Sequence, residues 1–366
     1  MRRLSWVEIA GYALLVLAVL GVLLLVIGFF ESIPPALIGT LAIDWRALYA
    51  GLAGGQLRYG TGLLNPPWAA LFVLPLGWLS LPAGWGVLVF VTLLVEIVSV
   101  PRVPQRWRYY VAILLLVTSF HSLRHLADGN FEALTIAGVC LTLWGLKRAQ
   151  TGGGLVALVI GLLLTSAKPQ SVFLFLLVLG VYILWQWPPR DWLRLAGGLA
   201  LVIVPTLLWK GSEWLNTMFA IRERGSLMDI NITAALTRLE QPLLAAVCWL
   251  LLAAVTLWLV WRARQNAPLL TREMAGMLVA ASLLLAPYSA GNSLLSVLAI
   301  GVIPLFLRRW LPGLALILLL NSAAFFNRPQ DVTFSATYTT LLLLTCWGVL
   351  AWQTWQTHAA ANKSGA

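Results

Sequence analysis

Long apolar runs separated by short polar breaks dominate the chain. Each run approaches the roughly 20 residues a helix needs to cross a bilayer. The pattern predicts spans at about 9–30, 83–100, 109–124, 130–147, 154–167, 170–187, 193–209, 243–261, 273–288, 291–307, 311–326 and 335–355. That makes twelve crossings. The first run, Ile9 to Phe30, is too long for a signal-peptide core and has no small-residue cleavage site behind it, so it is read as retained. One further apolar piece, Trp68 to Leu79, has only twelve residues, which as a helix cover roughly 18 Å of a hydrocarbon core about 30 Å thick. It is read as a short embedded helix that enters and returns, opened by Pro66-Pro67. The expected fold is an all-α polytopic membrane protein forming one integral membrane domain over residues 1–366. Residues 31–67 are expected as a first outer loop with amphipathic helices, and 210–241 as a large outer loop.

Composition agrees. The chain is 60% hydrophobic and 10% charged, whereas about a quarter of a soluble protein's residues are charged. A net charge of +11 invites a nucleic-acid partner, but topology explains it better, because Lys and Arg collect on the cytoplasmic side. With both termini inside, fifteen of the 24 Lys and Arg and four of the 13 acids fall inside, leaving nine of each sign outside. The basic stretch 101–108 is then cytoplasmic only if Trp68 to Leu79 does not cross. On this orientation Asp44, residues 121–130, 168–170 and 210–241, and Pro287-Tyr288-Ser289 all emerge on the outer face. Cys140, Cys248 and Cys346 lie singly inside apolar runs and are read as small buried hydrophobes. Most of the 19 Trp, including Trp45, Trp68, Trp107, Trp187 and Trp310, fall near predicted interfaces and read as an aromatic belt.

Asp44 is the only carboxylate between Glu31 and Glu96. An acid at the edge of an apolar run is costly and needs a reason. One reason is chemistry, with Asp44 as a base; the other is helix capping, since Asp followed by Trp-Arg-Ala-Leu-Tyr starts a helix well. Arg46 and Tyr49 follow within a turn or so. His121, Arg124, Lys168, Arg222 and Arg224 are cationic groups on the same side, able to make charge-assisted bonds to a phosphate. Lys168 has no acidic neighbour in sequence and fits equally a snorkelling interfacial lysine; Arg222-Glu223-Arg224 fits a solvated loop face. His121 and His125 stand four apart with Asp128 one turn on, a spacing open to metal ligation, substrate contact or polar packing. The glutamate of the zinc-protease pattern is missing, and no cofactor or metal is indicated. Asn231-Ile232-Thr233 has the form of a glycosylation sequon and fits equally a helix start or a site lining.

The run D-W-R-A-L-Y-A-G-L-A-G-G-Q-L-R-Y-G from Asp44, followed by N-P-P-W-A-A-L-F-V-L-P-L-G-W-L-S-L-P, resembles the start of the family 87 glycosyltransferases, with Asn65 where a Tyr is usual. Further stretches are similar to the same family: Gly129-Asn130-Phe131-Glu132, the small-residue helix closing at Lys168-Pro169-Gln170, Asn231 through Arg238, and Ala286-Pro287-Tyr288-Ser289. After that last motif the family commonly carries a Trp and a His; this chain has Ala290-Gly291-Asn292.

The resemblance implies a GT-C-like bundle and an inverting sugar transfer. A hexose such as mannose would pass from a polyprenyl-phosphate donor to a lipid or glycan acceptor. It implies Asp44 as catalytic base, with Arg46, Tyr49, His121, Arg124, Asn130, Lys168, Gln170, Arg222, Arg224, Asn231, Tyr288 and Asn292 as substrate contacts. The implied setting is a bacterial plasma membrane with the site on its outer face, and membrane lipids rather than nucleic acid as partners. Two other readings stay open at this level: a transporter or lipid flippase, which buried polar groups in a bundle also mark, and a catalytically degenerate homologue.

Overall fold

The computed structural model describes residues 6–60, 62–149, 151–222, 229–263, 270–326 and 331–364. They are helical throughout their ordered elements, with no strand among the described residues. The segment expected as a first outer loop is built of helices: α1 (Trp6–Glu31) leads into the short α2 (Pro35–Thr40) and α3 (Ile43–Leu52). Pro67 opens α4 (Pro67–Val73), which tightens into a 3-10 segment, Leu74–Trp78. Pro75 near the start of that segment lacks an N–H and favours the change of winding. The expected short helix is therefore a short two-part unit. Ser80 then caps α5 (Leu81–Ser99).

The predicted span 109–124 is broken. α6 (Arg106–Val117) ends at Thr118, Ser119 accepts the Ser122 N–H, and α7 (Phe120–Asp128) departs at 48°. A serine that offers its own acceptor starts a new helix within an apolar run. α8 (Glu132–Leu146) and α9 (Gly152–Thr165) pack closely along their length. A side chain at Gly138 would meet the Thr165 backbone nitrogen at 2.2 Å, so the approach requires glycine.

α10 (Pro169–Gln186) is followed by α11 (Pro189–Arg222), a single helix of 34 residues. The outer loop expected from residue 210 is thus helical as far as Arg222. Lys210 and Glu213 pair one turn apart on it, and Trp214 donates to the Leu64 carbonyl at 3.0 Å, anchoring it to the segment before Pro66. α12 (Ile232–Arg238) is short, and α13 (Pro242–Ala263) is long and lipid-like in composition.

The centre of the bundle is α14 (Arg272–Leu285), buried on every side from Glu273 to Leu285 and flanked by α10 and α19 (Val332–Ser364). Beside it runs Gly291–Arg308, a 3-10 turn (Gly291–Ser293), α15 (Leu294–Val297), a π segment (Leu298–Val302) and α16 (Ile303–Arg308). α17 (Trp310–Asn321) and α18 (Ala323–Phe326) complete the set. Helices apolar all round belong either inside a bundle or against lipid. α14 is the first kind; α1, with most of its apolar side chains exposed, is the second. Seven helices are long and apolar enough to cross a membrane, or eight if α6 and α7 form one bent span.

Two smaller expectations change. Trp45 is no belt residue: it is wholly buried, with its indole N–H on the Leu81 carbonyl at 2.8 Å. Of the cysteines, Cys346 is buried while Cys140 and Cys248 are half-buried.

Candidate active site

Asp44 is the second residue of α3, and it does not cap that helix. The residue before the helix is Ala42, in the left-handed region at φ 51° and ψ 34°, with its N–H held by the Ala127 carbonyl at 2.7 Å. An L-residue is disfavoured there by about 1–2 kcal/mol, so the tie to α7 helps maintain this entry to α3. Relieved of capping, the Asp44 carboxylate turns to side chains brought from far along the chain. Its Oδ2 accepts from Asn130 Nδ2 at 2.7 Å and from Asn292 Nδ2 at 3.0 Å.

Asn130 is fixed in orientation. Its Oδ1 accepts from Lys168 Nζ at 2.8 Å and from the Glu132 backbone N–H at 3.1 Å, so its amide nitrogen must face Asp44. Gly129 places it: at φ +70°, a Cβ there would lie 2.4 Å from the Trp45 Cβ. Only glycine combines that backbone conformation with so close an approach to α3.

Lys168 is the residue just before α10, ahead of Pro169, and its side chain makes no capping bond to that helix. Alone in sequence, it is paired in space: Nζ lies 2.7 Å from Glu132 Oε2, with the lysine side chain 11% exposed and the glutamate 0%. Snorkelling is thereby replaced by a buried ion pair. Glu132 also accepts from the Ser296 hydroxyl and, at 3.3 Å, from Ser293, which in turn accepts from Ser171 at 3.2 Å. The turn before Lys168 is held by Asn65, whose amide donates to the Ala167 carbonyl at 2.7 Å, and by Trp68, which donates to Ser166 Oγ at 2.9 Å. The asparagine in place of the usual tyrosine thus has a definite partner.

Other candidates lie apart from this network. His121 and His125 are both buried: Nε2 of His121 meets the Leu320 carbonyl at 3.2 Å, and Nδ1 of His125 meets the His121 carbonyl at 3.1 Å. Among the described residues no three His, Cys, Asp or Glu side chains are grouped as metal ligands. Arg124 pairs with Asp128 at 3.3 Å on a more open surface. Tyr49 donates to the Leu79 carbonyl at 2.8 Å and braces α3 against the 3-10 segment. Arg46 is half-buried with its Nε unpaired. Gln170 joins none of these bonds. Asn231 caps α12 by accepting the Ala234 N–H at 2.7 Å, the helix-start alternative. Tyr288 adjoins a clip in which Ser289 N donates to Asp229 Oδ1 at 3.2 Å and Ile230 N donates to the Ser289 carbonyl at 3.0 Å. Burial raises the Asp229 carboxyl above its ordinary range, against the lowering effect of Ser289 and Arg238. The Arg222 side chain and Arg224 lie outside the described residues.

Four network members were not singled out from sequence: Glu132, Ser171, Ser293 and Ser296. Glu132 carried a signal, since an acid opening an apolar run costs as much as Asp44 does. Ser293 and Ser296, three apart, share a helix face.

The profile of glycosyltransferase family 87 matches residues 63–287, more than half of the chain. The chain belongs to glycosyltransferase family 87. Comparison with curated proteins and with solved structures returned no match. Within the matched part of this family 87 chain lie Asn130, Glu132 and Lys168; Asp44 and Asn292 lie outside it. The hydrogen bond from Asn130 joins Asp44 to the matched region. Glycosyl transfer requires a group to take the acceptor proton and groups to receive the leaving group. A carboxylate with one oxygen engaged, the other without a hydrogen bond from any described residue, and a lysine one asparagine away is suited to the first task.

Proposed function

We propose that the protein moves a hexose such as mannose from a polyprenyl-phosphate donor to a lipid or glycan hydroxyl at the outer face of a bacterial plasma membrane, in the manner of GT-C enzymes. Asp44 is the base in this reading. Its carboxylate takes the acceptor's hydroxyl proton as that oxygen bonds to the anomeric carbon. The bond from that carbon to the phosphate oxygen breaks on the opposite face, and the polyprenyl phosphate departs with the electron pair. Inversion follows from the single displacement.

The observation that carries the reading is the state of Asp44. It is free of helix capping, half-buried, and gripped at Oδ2 alone by two amides from distant elements. Such pre-set geometry is costly to build and suits a reacting group. Lys168 has three N–H donors, two of them engaged by Glu132 and Asn130; the third is assigned to the leaving phosphate, with Arg46 and Arg124 as further cationic candidates. A lipid-linked donor fits a carboxylate set among helices of bilayer-crossing composition. The twelve-crossing topology is retained in this reading: the seven long helices, the bent α6–α7 pair, and α8, α9, α14 and α17–α18 as shorter crossings, with Pro67–Trp78 re-entrant.

The test is transfer of radiolabelled mannose from polyprenyl-phosphate mannose by purified protein in lipid. Asp44→Asn is expected to lower kcat by about 10²–10⁴-fold, the usual worth of a general base, with donor binding retained. Equal transfer by wild type and Asp44→Asn would overturn the assignment.

A further inference from the structure

We infer that Asn292 is a positioning residue that fixes which oxygen of Asp44 accepts the proton. The inference rests on Asp44 being the base and adds how that base is aimed. A carboxylate can rotate, and one donor on one side leaves both oxygens within reach of a substrate. Here two amides meet at Oδ2, from Asn130 on one side and Asn292 on the other. No described residue donates to Oδ1, which makes Oδ1 the atom that takes the proton.

Asn292 is itself rigidly placed. It is the middle residue of the 3-10 turn Gly291–Ser293, closed by the Ser293 N–H on the Ala290 carbonyl at 3.0 Å. The next side chain, Ser293, donates to Glu132 and accepts from Ser171. On the other flank the Ile230 N–H holds the Ser289 carbonyl. One turn of chain therefore bonds to both carboxylates, Asp44 through Asn292 and Glu132 through Ser293. Reversing the Asn292 amide would aim its oxygen at the carboxylate, so Nδ2 is the donor. Its Oδ1 is buried with no partner among the described residues, so the amide is oriented by its bond to Asp44.

The residue type matters as well. An amide donates without titrating, so it stabilises the anion yet cannot take the proton itself. A histidine at this place would ionise in the working range and share the proton. The other charged groups around Asp44 are Asp128 of α7, whose carboxyl is affected by Asp44, then Lys168 and Glu132 one asparagine away, and Arg46 on α3 itself. Among the described residues none of them is hydrogen-bonded to Asn292, whose bond goes to Asp44.

The experiment uses the full-length protein in lipid, with mannose transfer from polyprenyl-phosphate mannose as the readout. Asn292→Ala should lower kcat by about tenfold and leave KM unchanged, the worth of one hydrogen bond to a charged group. Asn292→Asp, similar in size but with no N–H to give, should lower kcat further, because it sets a second carboxylate against Asp44. An unchanged kcat in both variants beside an inactive Asp44→Asn overturns this inference alone. Full activity of Asp44→Asn removes the base, and the positioning role falls with it.

Discussion

Lys168 stands with its ammonium between Glu132 and Asn130, so its charge serves two side chains before any substrate arrives. Buried ion pairs are weak sources of net stability, yet breaking one by removing a single partner leaves the other charge stranded, at about 3–5 kcal/mol. Lys168→Met should therefore destabilise by that order, read as thermal unfolding in detergent. The double variant Lys168→Met with Glu132→Gln should recover most of the loss. A full-sized loss in the double variant would show that packing rather than charge pairing is at stake. Lys168 also marks the limit of what one residue tells in sequence. It reads as a lone interfacial lysine, and its partner is 36 residues earlier, at the start of another helix.

At the scale of elements, hydrophobic runs located the helices well, and polar breaks located their ends poorly. Ser119 lies in a stretch apolar enough to average into one span, but a hydroxyl that accepts the Ser122 N–H is a local event that averaging removes. α11 continues through Lys210 and Glu213 because charged residues leave the hydrocarbon without leaving the helix. The clip between Asp229-Ile230 and Ser289 joins two such breaks and steadies the approach to the 3-10 turn. Burial raises the Asp229 carboxyl, so the folded state holds its proton more tightly than the unfolded chain does. Its favourable contribution is then complete below the ordinary aspartate value near 4 and is lost as pH rises through the raised value. Asp229→Asn should remove that part of the decline in Tm on going from about pH 4 to about pH 6. An identical pH dependence in the variant would contradict the direction.

For the molecule as a whole, everything turns on Pro67–Trp78. If this short unit does not cross, Gly62 and Gln105 lie on opposite sides of the membrane, and the outer face gathers Asp44, Lys168 and the Gly291–Ser293 turn. Single cysteines placed at Gly62 and Gln105 should react with a membrane-impermeant maleimide from opposite sides. Reaction of both from the same side would reverse the topology of all that follows. Charge alone gives the candidate residues an expected side. It does not give their pairing, since periodicity carries no information about which helix ends meet.

The bond between Asp44 and Asn292 spans 248 residues. During synthesis the chain enters the membrane from its N-terminus, so Asp44 is in place long before its second asparagine has been translated. On the proposed role of Asp44, that base acquires its full aim only when the last third of the chain docks. Two separately made pieces, divided after α13 and inserted in one membrane, would each lack half of the grip on Asp44 and restore it together.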